Sequence, residues 1–228
     1  MDDLTAFGLP ETGTCGGQGA DAGACTTARR RGRPRAFDPD VVLEQVLEMF
    51  WMRGFAATSL DDIAAETGVS RPSLAAAFGD KEALYLKAME RYRDGINEKL
   101  DRVLTCNGAG DTLLGIVRRY FDIMLDSYTG VSEDCLGCAF TCTALNEAPR
   151  HDAIRSVLQN TIEEFDLRFE AFFQQAREMG HIGPDKDPKV MSQMITGLTS
   201  SLAVRARAGA SREDLQKIVE ANTAFLFA

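Results

Sequence analysis

Residues 54–84 read GFAATSLDDIAAETGVSRPSLAAAFGDKEAL, and this stretch gives the clearest indication of the fold. Within it, Ser59 can cap the start of a helix, with Asp62 as its capping-box partner three residues later. This helix is predicted to end at Gly68, and Ser70 can cap the next one. Two short helices joined in this way have the dimensions of a DNA-binding helix-turn-helix, although an ordinary corner between two helices has them as well.

The sequence on both sides of this stretch also has a helical pattern. Upstream, Asp38 and Pro39 predict the start of a first helix that covers residues 39–53 and stops at Gly54. Downstream, Asp80 predicts a long fourth helix that ends at about residue 103. Further helices are predicted over 112–127, 135–146, 151–179, 188–208 and 212–226. No segment alternates as a strand does, so the sequence predicts an all-α protein.

The composition excludes several classes of protein. The chain has 228 residues, of which 45% are apolar and 26% charged, and this balance excludes disorder throughout. No run approaches the ~18 apolar residues that span a bilayer, and the first residues do not resemble a signal peptide. We therefore expect a cytoplasmic protein without a membrane partner. Its six cysteines are then expected to be reduced thiols.

The charge is unevenly distributed along the chain. Lys and Arg number 25 against 34 Asp and Glu, and the resulting net charge of −9 by itself argues against nucleic-acid binding. However, residues 1–28 contain four acidic residues and no basic one, whereas five arginines lie between Arg29 and Arg35. The glycine-rich composition of residues 1–28 predicts disorder. We therefore expect residues 1–36 to be a disordered tail that ends in a basic arm.

The stretch from Gly54 to Leu84, in a matching region from about Phe37 to Tyr92, resembles the N-terminal domain of TetR/AcrR-type transcriptional regulators. The resemblance implies a three-helix DNA-binding domain over residues 37–83. It also implies a helical effector-binding and dimerisation domain over residues 84–228. The expected protein is a homodimer that binds a palindromic operator in double-stranded DNA and is released by a small-molecule effector.

The resemblance also implies roles for individual residues. The recognition helix would run from Arg71 to Phe78, and Arg71 is the best candidate for a specific contact because a guanidinium can pair with guanine. Other contacts would go to phosphates, which fix the register of the protein on DNA. The residues implied in DNA binding within this domain are Thr58, Ser59, Ser70, Arg71, Ser73 and Lys81.

The recognition helix departs from the family at one position. Where the family usually has an aromatic residue after Leu74, this chain has Ala75. The change predicts either weaker DNA binding or closer docking, in which a methyl group contacts a thymine methyl.

The basic arm offers a second source of DNA contacts. Its segment Arg31-Gly32-Arg33-Pro34 resembles the core of an AT-hook. Arg31 and Arg33 are therefore expected to enter a narrow minor groove. Non-specific attraction to phosphates and improved solubility are the alternatives.

Three cysteines follow one another at helical spacing. A helix over 135–146 would place Cys135, Cys138 and Cys142 on one face, because they are three and four residues apart. Thiols arranged in this way can react with oxidants or electrophiles, or bind a soft metal. The alternative is that they are small buried apolar residues. Since no fourth metal ligand is evident, we predict no bound metal and no cofactor.

The effector cavity is expected among the helices that follow residue 100, where aromatic residues and methionines accumulate. Many of these residues would also suit an ordinary core, and Tyr128 and Thr141 are the expected polar contacts. The predicted lining residues are Phe121, Met124, Tyr128, Phe140, Thr141, Phe165 and Phe169.

The last two predicted helices carry apolar stripes that could be buried against the two-fold mate or within the chain. A stripe of Met191, Met194, Ile195, Leu198 and Leu202 lies on the first, and the second carries Leu215, Ile218, Val219 and Phe225.

Two functional hypotheses follow. The first is a repressor whose operator binding is released by an apolar or thiol-reactive effector. The alternative is a helical redox- or metal-responsive regulator with weakened DNA binding, which senses through Cys135, Cys138 and Cys142. An enzyme is not predicted, because the sequence has neither a glycine-rich phosphate loop after a strand nor a His-Glu-x-x-His motif.

Overall fold

The computed structural model describes residues 37–105, 112–130 and 137–227, and every regular element in these ranges is a helix. The all-α prediction is therefore confirmed. The α-helices are α1 (Pro39–Arg53), α2 (Leu60–Thr67), α3 (Arg71–Phe78), α4 (Lys81–Thr105), α5 (Leu113–Thr129), α6 (Leu145–Glu147), α7 (Asp152–Glu178), α8 (Pro188–Arg207) and α9 (Arg212–Leu226). A π-helical turn (Phe140–Ala144) runs directly into α6.

Side-chain caps define the first three helices, as the sequence predicts. The Asp38 carboxylate accepts a hydrogen bond from the Asp40 N–H at the start of α1. Ser59 and Asp62 form a complete capping box at the start of α2. The Ser70 hydroxyl accepts from the Ser73 N–H at the start of α3. These bonds satisfy backbone donors that have no partner within a helix.

The first three helices share a hydrophobic core with the start of α4. Ile63 of α2 and Leu74 of α3 are almost fully buried in it. Phe50 and Phe55 both pack against the Tyr85 ring of α4, with ring centroids 5.2 and 5.1 Å apart. Burying side chains of this size stabilises the fold by about 1.5–3 kcal/mol each, which fixes α2 and α3 on their neighbours.

A second core lies between α4, α5, α7, α8 and α9. Its centre contains the fully buried rings of Phe121, Phe169 and Phe173. Helix α4 belongs to both cores, since Leu84 packs in the first and Leu100 in the second. Phe37–Ala228 accordingly form one compact unit, and the domain boundary near residue 83 stays a prediction.

The predicted helix over 135–146 begins later than expected, since its described part is helical only from residue 139 onward and includes a π-helical turn. Gly137 has a φ of +85°, which a right-handed helix does not allow, and the helical backbone begins after Cys138. At Gly137 a Cβ atom would lie 2.5 Å from the carbonyl oxygen of Ala203 on α8. Only glycine permits this close approach together with a positive φ. Cys138 therefore directly precedes the helical backbone that contains Cys142, and Cys135 lies outside the described residues.

None of the helices in the described ranges combines the length and the apolarity needed to cross a bilayer.

Candidate nucleic-acid interface and effector cavity

The recognition helix α3 exposes its first turn and buries its opposite face. Arg71 and Ser73 are exposed, whereas Leu74 and Phe78 lie in the first core. The Nη1 atom of Arg71 donates to both carboxylate oxygens of Asp61, each at 3.1 Å. Because both side chains are exposed, this ion pair adds little stability. It does hold the guanidinium at the end of α3, with other N–H groups left to donate.

The serines predicted to contact DNA also cap helices. The Ser59 hydroxyl lies 2.6 Å from Asp62 Oδ2 and accepts from the Asp62 N–H. Hydrogen bonds from Ser59 hold the pKa of Asp62 below its usual value. The Ser70 and Ser73 hydroxyl oxygens are 2.9 Å apart. All three serines are exposed, so their remaining lone pairs and protons face solvent.

Thr58 does not fit the prediction. Its side chain is fully buried, and its hydroxyl donates to the Gly54 carbonyl oxygen at 2.8 Å. This bond satisfies a carbonyl near the end of α1 and turns the hydroxyl away from solvent. The predicted DNA contact by the Thr58 side chain is therefore wrong.

Lys81, at the start of α4, packs on the body of the protein. Its Nζ lies 4.4 Å from the centroid of the Phe55 ring, a cation–π contact. Partial burial lowers the pKa of Lys81, although the charges of Glu147 and Asp62 oppose this shift. A phosphate contact by Lys81 stays a prediction, and it requires the ammonium group to leave the ring.

The rest of the exposed surface of α3 is small and apolar. Ala75 and Ala76 are both exposed, so this part of the helix presents only methyl groups. Weaker binding and closer docking are both compatible with this surface. The arm residues Arg31 and Arg33 lie outside the described residues.

A cavity of about 400 Å³ lies between α4, α5, α7, α8 and the π-helical turn. Five of the predicted residues line it: Met124, Tyr128, Phe140, Thr141 and Phe165. Helix α8 supplies a further wall that was not predicted, which consists of Gln193, Thr196, Gly197, Thr199 and Ser200. The signal for this wall was the run of small polar residues beside the apolar stripe of α8.

Phe121 and Phe169 were also predicted to line the cavity, and this prediction is wrong. Both side chains are fully buried in the second core. The Phe169 ring packs edge-on against Tyr120 with centroids 4.8 Å apart. Tyr120 itself lines the cavity and thereby separates Phe169 from it.

Several tyrosine hydroxyls near the cavity are poorly satisfied. Tyr120 shares a 2.9 Å hydrogen bond with Thr199, but among the described residues the Tyr128 hydroxyl has only the Met124 sulfur as a partner, at 3.8 Å. The Tyr92 hydroxyl is buried beside Cys138 without a well-formed hydrogen bond. Burial raises the pKa of all three tyrosines, so they are neutral hydroxyls at physiological pH.

The two described cysteines differ in position. Cys138 lines the cavity and is half-buried, and Cys142 lies one turn further on in the π-helical turn. In the described part of the chain, no three His, Cys, Asp or Glu side chains lie close enough together to hold a metal ion. Cys138 is therefore accessible to molecules in the cavity, but among the described residues it does not belong to a set of metal ligands.

Three contacts connect the helices around the cavity to the DNA-binding helices. The Tyr85 and Thr143 hydroxyl oxygens are 2.6 Å apart, which links α4 to the π-helical turn. His151 Nδ1 is hydrogen-bonded to a carboxylate oxygen of Glu82. On α8, Arg207 Nη2 donates to the backbone carbonyls of Trp51 and Met52 at 3.2 and 3.4 Å. A displacement of the cavity walls can therefore reach α1 and α4 directly.

The stripe expected at the dimer interface is largely buried within the chain. Two of its residues keep substantial exposure, Met194 on α8 at 43% and Phe225 on α9 at 77%. The buried members are Met191, Ile195, Leu202, Leu215 and Val219. Further exposed apolar side chains on α8 are Val190 and Val204.

Comparison with known families assigns most of the described chain. A model of the tetR family of bacterial regulatory proteins matches residues 42–88. A model of the C-terminal domain of tetracyclin repressor-like proteins matches residues 117–222.

Individual relatives match over most of their length. The HTH-type transcriptional repressor ComR of Escherichia coli (strain K12) is 29% identical over 192 residues, which is 83% of this chain and 89% of ComR. The uncharacterized HTH-type transcriptional regulator YezE of Bacillus subtilis (strain 168) is 23% identical and covers 86% of this chain and 99% of YezE.

A similar solved structure is a cysteine mutant of the TetR family transcriptional regulator CifR, complexed with 26-base-pair operator DNA. It superposes with a TM-score of 0.76 at 28% identity, and the match covers 85% of this chain and 98% of the CifR chain. Together with the two family models, this shows that the chain belongs to the TetR family of bacterial regulatory proteins.

Proposed function

We propose that this chain is a homodimeric transcriptional repressor that acts in the cytoplasm and releases its operator when a small effector enters the cavity. One observation carries the proposal: α3 exposes Ser70, Arg71 and Ser73 at its first turn, while its other face is fixed in a closed core. Such a helix end suits the major groove, where side chains near the N-terminus of a recognition helix read base edges. The DNA-bound CifR structure supports the same use of this fold.

In this proposal, DNA contacts divide between recognition and positioning. Arg71 pairs with a guanine, while Ser59, Ser70, Ser73 and Lys81 contact phosphates or neighbouring base edges. Arg31 and Arg33 add contacts in the minor groove.

The dimer surface is proposed on the exposed side of α8. Val190, Met194 and Val204 recur there at heptad-like spacing, with the small residues Gly197 and Ser201 between them. Such a stripe suits close packing against the same helix of a second copy. The two-fold axis must then hold the two recognition helices about 34–36 Å apart, so that each enters its half of a palindrome.

The effector acts through the separation of these two helices. A volume of about 400 Å³ lies within the range of small-molecule sites. A ligand that binds more tightly to one arrangement of α4, α7 and α8 favours that arrangement. The contacts of Tyr85 with Thr143 and of Arg207 with the end of α1 transmit the change to the DNA-binding helices.

Selection of bound genomic fragments by the full-length protein tests the DNA-binding function. We expect enrichment of a palindrome with half-sites about one helical turn apart. The Arg71→Ala variant is the control and should lose this enrichment. A wild-type protein that enriches no palindrome would contradict the proposal and favour the alternative of a regulator with weakened DNA binding.

A thiol-reactive effector is the second candidate, because Cys138 lines the cavity. N-ethylmaleimide should release wild-type protein from its operator, and Cys138→Ser should resist this release. Cys142→Ser, which alters a thiol outside the cavity lining, is the matched control and should behave as wild type. Unchanged release of Cys138→Ser would remove this candidate.

A further inference from the structure

The cavity has a strongly asymmetric lining. Among the described residues that line it, Asp166 on α7 is the only charged one, and neither lysine, arginine nor histidine is present. One part of the wall is apolar and the part from α8 is neutral and polar. The apolar residues are Ile96, Met124, Phe140, Leu145, Leu158, Ile162 and Phe165. A cavity with this lining suits an amphipathic molecule.

Asp166 is held in position by α8. The Thr196 hydroxyl donates to Asp166 Oδ1 at 2.6 Å, and the Ser192 hydroxyl donates to its backbone carbonyl at the same distance. In the described ranges, no basic side chain lies within ion-pair distance of the Asp166 carboxylate. Glu164 on the same helix differs, since it is paired with Arg168. The half-buried carboxylate of Asp166 therefore has a fixed position, and no basic side chain shares the cavity lining with it among the described residues.

We propose that the cavity takes a small apolar amine, whose ammonium group binds the carboxylate of Asp166. A cation near this carboxylate gains an attraction that is stronger in the protein than in bulk water, and an anion of the same shape is repelled. The Tyr128 hydroxyl, whose partner among the described residues is the Met124 sulfur, keeps oxygen lone pairs that can accept a hydrogen bond from the ammonium group. The inference rests on the proposed function, because it specifies the effector of that same site.

Binding of three isosteric probes to the full-length protein tests this inference. Phenylhexylamine, phenylhexanol and phenylhexanoate share the apolar part and differ in the charge of the head group. By titration calorimetry, we expect the amine to bind roughly five- to tenfold more tightly than the alcohol, and the acid to bind most weakly. Rising salt concentration should reduce the preference for the amine in the wild-type protein.

Two variants test which carboxylate causes the preference for the amine. Asp166→Asn keeps an acceptor for Thr196 and should bring the amine within about twofold of the alcohol. Glu163→Gln removes a charge from an exposed position on the same helix that is not among the residues lining the cavity, and should leave the preference unchanged.

Equal binding of amine and alcohol to the wild-type protein would overturn the inference, and so would a preference that survives in Asp166→Asn or a failure of all three probes to bind. Operator binding, measured in parallel, tests the proposed function separately. If the alcohol releases the operator as well as the amine does, the inference fails and the repressor function stands. If the amine preference is present but no operator is bound, the inference stands and the repressor function fails.

Discussion

The DNA-binding helices and the helices around the cavity differ in how some of their hydroxyl and carboxylate oxygens are hydrogen-bonded. In α1 to α3, Asp38, Ser59 and Ser70 cap helix ends, and the buried Thr58 hydroxyl has a backbone acceptor. Around the cavity, the hydroxyls of Tyr92 and Tyr128 are buried with poor partners or none among the described residues. The first region is therefore organised before it meets DNA, whereas the second keeps hydrogen-bonding capacity for a ligand.

The largest change in stability is expected from a substitution in the irregular backbone beside the cavity. Gly137→Ala should lower the free energy of unfolding by roughly 2–5 kcal/mol, because the new Cβ meets the Ala203 carbonyl at a positive φ. Urea denaturation measures the loss. Gly95→Ala in α4 is the matched control, since a Cβ there meets no atom within 4 Å, and it should be neutral or stabilise by up to about 1 kcal/mol. Equal effects of the two changes would refute the constraint at Gly137.

The next effect concerns DNA recognition. Arg71→Ala should weaken operator binding by about 1–3 kcal/mol, since a lost bidentate contact to guanine costs this much. Fluorescence anisotropy with a labelled operator measures the loss. Arg212→Ala, which removes an exposed arginine paired with Asp126 on α5, is the control for net charge and should retain wild-type affinity within about twofold. A similar loss in both variants would indicate non-specific attraction instead of base recognition.

Two tyrosines allow a direct comparison of a well-bonded hydroxyl with a poorly bonded one. Tyr85→Phe removes a 2.6 Å hydrogen bond to Thr143 and should cost about 1 kcal/mol of unfolding free energy. Tyr128→Phe removes a hydroxyl whose partner in the described part of the chain is a sulfur atom, and should change stability by less than about 0.5 kcal/mol. Guanidinium denaturation of both variants gives the difference. If Tyr128→Phe is as destabilising as Tyr85→Phe, the Tyr128 hydroxyl has a stronger partner than Met124.

The smallest effect is a pH dependence in the DNA-binding helices. Hydrogen bonds from Ser59 lower the pKa of Asp62 in the folded protein, so the ionised carboxylate stabilises the fold above the pKa of an unfolded aspartate. This contribution is lost as the pH falls through the lowered folded pKa. Asp62→Asn should therefore be less stable than wild type at neutral pH, and the difference should shrink in strong acid. Denaturation curves across this range would contradict the capping role if the difference were independent of pH.

The regular helices could be predicted well from the sequence because capping residues close in sequence determine where they begin and end. The range 39–53 agrees with α1, and the caps at Ser59 and Ser70 open α2 and α3 as predicted. The failures depend on contacts that are distant in sequence or on backbone conformation. Gly137 breaks the predicted helix because it packs against Ala203, which lies 66 residues further on. Thr58 is a polar residue at an expected contact position, and only the fold reveals that its hydroxyl turns inward.

The lining of the candidate cavity could be predicted only in part, because it also depends on contacts between residues distant in sequence. Aromatic residues and methionines identify apolar surface, but they do not distinguish a cavity wall from a core, so Phe121 and Phe169 were misplaced. The polar wall from α8 becomes visible only when α7 and α8 are packed together. Asp166 is a similar case. Only the packed helices show that it lines the cavity and that no basic side chain lines it as well among the described residues.

The contact between Arg207 and the end of α1 has an evolutionary consequence. Its acceptors are backbone carbonyls of Trp51 and Met52, which every residue type provides. Substitutions in α1 that suit a new operator or a new packing partner therefore leave this connection intact, whereas loss of the single arginine removes it. The sequence of α1 can in this way change while one connection between α8 and the end of α1 is retained.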